Sequence, residues 1–314
     1  MSVIAVAGGT GNLGRAVVDA LNATGKITVL VLARQASEDK EKEIGAKIIA
    51  INYDDVPSIT ATLEKNKIDT VISTLTSAVP VSPDLALIAA ADKSSTTKRF
   101  IPSIWGVPDH ESMVAIFPPA KNKIDTLAAL EASSLEYTSI YNGYFIDYFA
   151  VPKVPSYLSP LPVVADIANN FAAIPGSGDV PVVFTHTWDI SKFVAAYVQK
   201  STWEKKEAYI IGGKATWNEF IAIAEEAKGG GTKFTVETDS LEKLSKGEIT
   251  ELPSHPPIYP FFPKQMLQGI FAAFGIFFEK GLFDLKPTTQ TLNEEFPDIK
   301  ARTVKEIIDA AWKE

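Results

Sequence analysis

The chain has 314 residues, 46% of them hydrophobic, with a formal net charge of -8 and no cysteine. That length and apolar content suit one elaborated α/β domain or a main domain with a smaller annex, and exclude a largely disordered chain. The acidic balance, with no clustered basic face, argues against a nucleic-acid footprint, and the lack of cysteine excludes disulfides, thiolate catalysis and Cys-ligated zinc.

In chain order, Val3-Ile4-Ala5-Val6-Ala7 comes first, an apolar run suited to a central parallel strand covered on both faces. Gly8-Gly9-Thr10-Gly11-Asn12-Leu13-Gly14 follows, then a helix that turns Ala16, Val17, Ala20 and Leu21 towards the sheet. Glycine at 8, 11 and 14 suits a tight turn, main chain close to phosphate oxygens, and a helix touching its strand. The helix start adds free N–H groups and a positive dipole end. The G-x-G-x-x-G of Gly9, Gly11 and Gly14 is weak by itself, since glycine turns also serve plain structure; its strand-turn-helix setting makes it a dinucleotide motif. Gly8, Thr10, Gly11, Asn12, Leu13 and Gly14 are therefore expected to hold a pyrophosphate. A strand beginning at Val3 leaves no room for a secretory leader, so the expected location is cytoplasmic.

Further strands are expected at 27–33, 46–51, 70–75 and 99–102, with helices around 59–65 and 82–92. The alternation predicts a Rossmann-type, doubly wound parallel sheet whose ligand crosses the carboxyl ends of the strands. A helix from about 121 to 133 and a strand at 137–141 complete this half. Pro152, Pro155, Pro160 and Pro162 then break the pattern. The expected division is an NAD(P)-binding domain over 1–150 and a smaller α/β substrate-binding region over 151–314, with segments near 180–200 free to return to the main domain. In the second region strands are expected at 180–184 and 208–211, and helices at 216–227 and from Val304. Another helix starts at Asp189, read first as its N-cap. The apolar stretch 267–278 is too short to span a bilayer, so no membrane partner is expected. Its phenylalanines, with Tyr259, Phe261 and Phe262, read as core or as a lid over a substrate. His110, His186 and His255 form no i, i+4 pair, and no metal site is expected.

The residue ending the second strand selects the cofactor. An acid there holds the adenosine ribose hydroxyls, and a base accommodates a 2′-phosphate. Arg34 stands at that point with no carboxylate before Glu38, which favours NADP(H); the competing reading is a solvent-facing loop cation. Lys40 and Lys42 are possible second partners for that phosphate but alternate with Glu38, Asp39, Glu41 and Glu43, a pattern that reads first as a solvated helix start. Asp54, after the third strand, either meets the adenine amino group or serves a turn. Ser73 and Thr74, ending the fourth strand, either lie near the nicotinamide ribose or cap the next helix.

With these residues placed, the chain resembles the NmrA-like and isoflavone-reductase-like family of atypical short-chain dehydrogenases. Gly8 to Gly14 is similar to that family's glycine motif, and Lys98 to Gly106 (K-R-F-I-P-S-I-W-G) to its K-R-F-x-P-S-E-F-G signature. Lys123, Leu130-Glu131-Ala132, Tyr137-Thr138 and Asn142-Gly143-Tyr144-Phe145 match the family's lysine helix and following strand. Asp189 to Val194 and Leu292 to Pro297 resemble later landmarks of the fungal members. Ile104 and Trp105 replace the signature's acidic and aromatic pair, and the Y-x-x-x-K of ordinary short-chain dehydrogenases is absent.

The resemblance implies an NADPH-dependent oxidoreductase that reduces a small apolar or aromatic carbonyl or an activated alkene. Lys123 would act in place of the tyrosine and also touch the nicotinamide ribose, with Lys121 as the alternative if the register slips. Thr74 would lie by the cofactor, and Trp105, Asn142, Tyr144 and Phe145 by the substrate; Tyr144 and Phe145 serve equally well as core. The same family includes dinucleotide-binding redox-sensing regulators that act through a protein partner without turnover, and a non-redox isomerase is a third reading.

Overall fold

The computed structural model describes residues 2–76, 81–108, 110–204 and 206–313. The chain divides into two compact units. Unit one holds Met1–Tyr141, Thr187–Ile210 and Thr288–Ile299; unit two holds Asn142–His186, Ile211–Pro287 and Lys300–Glu314. Against a single cut at 150, residues 142–150 cluster with unit two and 288–299 with unit one.

Unit one begins with β1 (Ser2–Ala7), α1 (Asn12–Ala23), β2 (Ile27–Ala33), α2 (Glu38–Ile44) and β3 (Lys47–Ala50). It continues with α3 (Val56–Lys65), β4 (Thr70–Ser73), α4 (Pro83–Lys93), β5 (Arg99–Ile101), α5 (Glu111–Val114), α6 (Ala120–Glu131) and β6 (Glu136–Tyr137). The sheet runs β3-β2-β1-β4-β5-β6 with parallel pairing throughout. Strand order reverses between β1 and β4, which creates the crevice where such folds bind ligands. One face of the sheet packs Leu30, Leu32, Val71 and Phe100 against Ile59, Leu63, Leu87 and Leu130 of the helices. On α1, Leu13, Ala16, Val17 and Leu21 are buried, and α1 packs against the helix Thr187–Tyr197.

Local signals place the helix starts. Asp55 accepts from Ser58 N at 3.0 Å before α3, and Ser82 precedes Pro83 at the start of α4. The expected strand 137–141 is two pieces. Glu136 and Tyr137 close the six-stranded sheet, while β7 (Ser139–Tyr141) pairs in parallel with Glu207–Tyr209. Thr138, between them, shares a 2.9 Å hydrogen bond with the Tyr197 hydroxyl, so the chain leaves one ladder and joins another at that residue.

Unit two contains two three-stranded sheets. One joins Ala165–Asp166, Phe171–Pro175 and Thr235–Asp239; the other joins Tyr144–Phe145, Val182–Thr185 and Gly213–Ala215. The helix Lys264–Glu279 buries Phe271, Phe277 and Phe278. Among the described residues, no helix is long and apolar enough to cross a membrane.

Candidate functional site

The glycine turn between β1 and α1 is tight where the fold needs it and open where a ligand would lie. Gly8 has φ +81°, and a Cβ there would sit 2.7 Å from Thr74 Oγ1. A Cβ on Gly14 would come within 2.4 Å of the Gly8 carbonyl oxygen, so glycine lets α1 touch β1. Gly11 differs: its backbone is extended (φ -165°) and a Cβ would meet nothing within 4 Å. No side chain caps the start of α1. Asn12 is exposed with φ +52°, a conformation asparagine tolerates, and Leu13 is buried beneath it.

Beside this turn, a cavity of about 570 Å³ is lined by Thr10, Ala33, Arg34, Gln35, Ala36, Ser37 and Lys40. Two cations and two hydroxyls around an open space fit a phosphorylated ribose, and the free Gly11 face fits a diphosphate. Lys40, read from sequence as a solvated helix residue with Lys42, stands in this wall. Ser37 caps α2 by accepting from Lys40 N at 3.4 Å, which fixes residue 40 in the first turn directly after the end of β2. Asp54 is exposed, its N–H donates to Asn52 Oδ1 at 3.1 Å in a turn, and it is not in the cavity wall.

At the ends of β4 and β5 the side chains form a bonded chain. Thr74 Oγ1 donates to the Ala7 carbonyl at 2.8 Å, and Ser73 Oγ donates to Asp84; α4 is capped by Ser82, so neither Ser73 nor Thr74 caps it. Asp84 also accepts from Ser103 N at 2.8 Å, and Trp105 Nε1 donates to the Ser73 carbonyl at 3.0 Å. Lys123 Nζ donates to the Trp105 carbonyl at 3.3 Å and is half-buried, whereas Lys121 is exposed and paired with Asp125. Burial pushes the Asp84 carboxyl up to about 6, against the opposing bonds from Ser73 and Ser103. Burial, reinforced by Asp84, raises the Tyr53 phenol. Sequence reasoning missed Asp84, because an acid one residue into a helix ordinarily reads as a dipole partner on the surface.

The remaining residues expected at a substrate lie in unit two. Asn142 is fully buried, with Nδ2 donating to the Gly143 carbonyl at 3.2 Å and its own carbonyl accepting from Thr185 Oγ1 at 2.7 Å. Tyr144 is 4% exposed, with Tyr148, Phe149, Phe184, Trp217, Phe274, Phe278 and Phe283 around its ring at 5.3 to 6.4 Å. It is a core residue, the second of its two sequence readings, and burial raises its phenol well above the usual value. Phe145 is half-buried, edge-on to Tyr148 at 6.0 Å. His186 is buried with Nε2 3.6 Å from Asp147. Asp189 is not an N-cap: the helix begins at Thr187, and Asp189 accepts from Lys192 Nζ at 3.2 Å within the first turns. Among the described residues no three acidic or histidine side chains gather as a metal would require.

The NmrA-like family model matches residues 1–308. Oxidoreductase BOA1 of Botryotinia fuckeliana is 35% identical over 300 residues, covering 94% of this chain and 95% of that protein. The isoflavone reductase homolog IRL of Zea mays is 28% identical, covering 98% of this chain and 97% of that one. Among solved structures, the binary complex of Vitis vinifera leucoanthocyanidin reductase with NADPH aligns at a TM-score of 0.75 and 23% identity over 98% of each chain, a likeness of fold.

Proposed function

The chain belongs to the NmrA-like family, and from that membership we propose that it is an NADPH-dependent reductase of a small apolar or aromatic carbonyl compound or activated alkene. The observation that carries the reading is the cavity at the end of β2, where Arg34, Lys40, Thr10 and Ser37 surround a space beside the open face of Gly11. The relative named an oxidoreductase and the one named an isoflavone reductase homolog support an enzyme of this class.

In this reading the first N–H groups of α1 and the turn at Gly8 to Gly14 hold the diphosphate, and Arg34 with Lys40 neutralises the 2′-phosphate. NADPH held by these residues would supply the hydride that the reduction needs. The Lys123 ammonium, held against the Trp105 carbonyl, would steady the ribose hydroxyls and give its proton to the substrate oxygen that gains charge, so that a carbonyl becomes an alcohol and an enolate becomes its enol. Solvent then returns the proton to Lys123. Trp105 supplies the carbonyl that meets this lysine, while Tyr144 belongs to the core of unit two.

The test is fluorescence titration with NADPH and NADH, followed by absorbance loss on adding quinones, enones and aromatic aldehydes. The expected result is tighter binding of NADPH and turnover with at least one class. Binding without turnover across the panel would favour a dinucleotide sensor, and no binding of either coenzyme would refute the reading.

A further inference from the structure

We propose that Asp84 is a positioning residue for Lys123: from the start of α4 its carboxylate fixes the ends of β4 and β5, so that the Trp105 carbonyl meets the lysine ammonium. The functional meaning of this brace rests on the reductase reading of Lys123; the brace itself does not.

The bonds run without a gap. Ser73 Oγ donates to one carboxylate oxygen of Asp84, and Ser103 N donates to the other at 2.8 Å. The carbonyl of the same Ser73 receives Trp105 Nε1 at 3.0 Å, and the Trp105 carbonyl receives Lys123 Nζ at 3.3 Å. A second tie comes from α6: Thr126, one turn beyond Lys123, contacts the Ser82 cap of α4 through its hydroxyl at 3.3 Å. Asp84 therefore stands where both loops and both helices are joined.

Two physical points make this more than packing. An acid in the first turn of a helix gains most by meeting that helix's own free N–H groups. The Asp84 side chain instead reaches across to Ser73 and Ser103, and it is 2% exposed, where a carboxylate is costly unless hydrogen-bonded. What it secures in return is the placement of one carbonyl oxygen. A carbonyl held against an ammonium fixes the direction of that ammonium; a carbonyl free to swing does not.

The test needs neither substrate nor cofactor. Trace acetylation of the full-length protein with acetic anhydride at one fixed pH, read at Lys123 by peptide mass spectrometry, reports how accessible that amine is. In Asp84→Asn, which keeps the shape and removes the charge, Lys123 should react about threefold or more faster as its ammonium leaves the Trp105 carbonyl. Ser73→Ala, which cuts one link, should give a smaller change of the same sign, and Lys121, exposed on the same helix, should be unaffected in both. Unchanged Lys123 reactivity in Ser73→Ala and in folded Asp84→Asn overturns the proposal, whether or not the parent turns over NADPH. Should Asp84→Asn fail to fold, Ser73→Ala decides alone. On menadione or cinnamaldehyde, whichever the parent reduces, Asp84→Asn should lower kcat about tenfold and leave the KM for NADPH within about twofold. A rise in that KM with kcat unchanged would also overturn the assignment.

Discussion

Gly11 and Gly143 show two opposite uses of the same residue. At Gly11 an added Cβ would meet nothing within 4 Å, and at Gly143 it would meet the Val183 carbonyl oxygen at 2.2 Å on a backbone with φ +71°. Gly11 leaves a space empty, and Gly143 lets its backbone close on that of Val183. Their neighbours follow suit. Thr10 and Arg34 line a cavity, while Tyr144 is enclosed by seven aromatic rings. A polar or aromatic residue just past a strand end becomes part of a site only where the packing leaves room, and that differs between two segments that look equally functional in sequence.

The contrast can be broken most directly at Tyr144. Tyr144→Ala should cost about 3 to 5 kcal/mol of stability, the usual loss for a truncated core aromatic, and Tyr144→Phe no more than about 1 kcal/mol, both read from urea unfolding. A stable Tyr144→Ala protein with impaired turnover would instead make Tyr144 a substrate contact.

Asp84 sharpens the comparison at the polar end. Its carboxyl titrates at about 6 in the folded chain against an ordinary value of 3.8. Between those values the folded state holds a proton that the unfolded state releases, so this group destabilises at neutral pH and the cost fades as the pH falls towards about 4. The stability of Asp84→Asn minus that of the parent should therefore be most favourable above about pH 7 and fall by up to about 3 kcal/mol by about pH 4. A difference independent of pH would remove the buried charge from the account.

Smaller effects are expected at the cavity. Arg34→Ala should reduce the preference for NADPH over NADH by about 1 to 3 kcal/mol, measured by parallel titrations; an unaltered preference would exclude Arg34 from the 2′-phosphate. Gly11→Ala, on an extended backbone with open space, should change stability by less than about 0.5 kcal/mol while weakening NADPH roughly tenfold, or about 1.4 kcal/mol. Equal binding would show that the open face is not where the diphosphate lies.

The glycine turn and Arg34 were legible because their meaning is local: strand, turn and helix follow within a dozen residues, and the second strand ends where the cavity begins. Lys40 was legible only as the second of two readings, and Asp84 was not legible. Lys40 alternates with acids as a surface residue does, and only the Ser37 cap fixes it in the cavity wall. Asp84 is buried by packing among α4, β4 and the loop after β5, which no periodicity records. Tyr144 was ambiguous for a similar reason, since its rings come from residues 148 to 283. The split at Thr138 was hidden because Tyr137-Thr138-Ser139-Ile140-Tyr141 is rich in β-branched and aromatic residues throughout and reads as one strand.

The chain passes from one unit to the other at 141/142, 186/187, 210/211, 287/288 and 299/300. A protein cut after residue 150 would therefore lack Thr187–Tyr197, the helix that packs on α1, and would leave α1 with an uncovered apolar side. During synthesis unit one, although its first segment is translated early, stays incomplete until residues 288–299 have emerged from the ribosome, so that segment keeps apolar surface uncovered until its later pieces arrive.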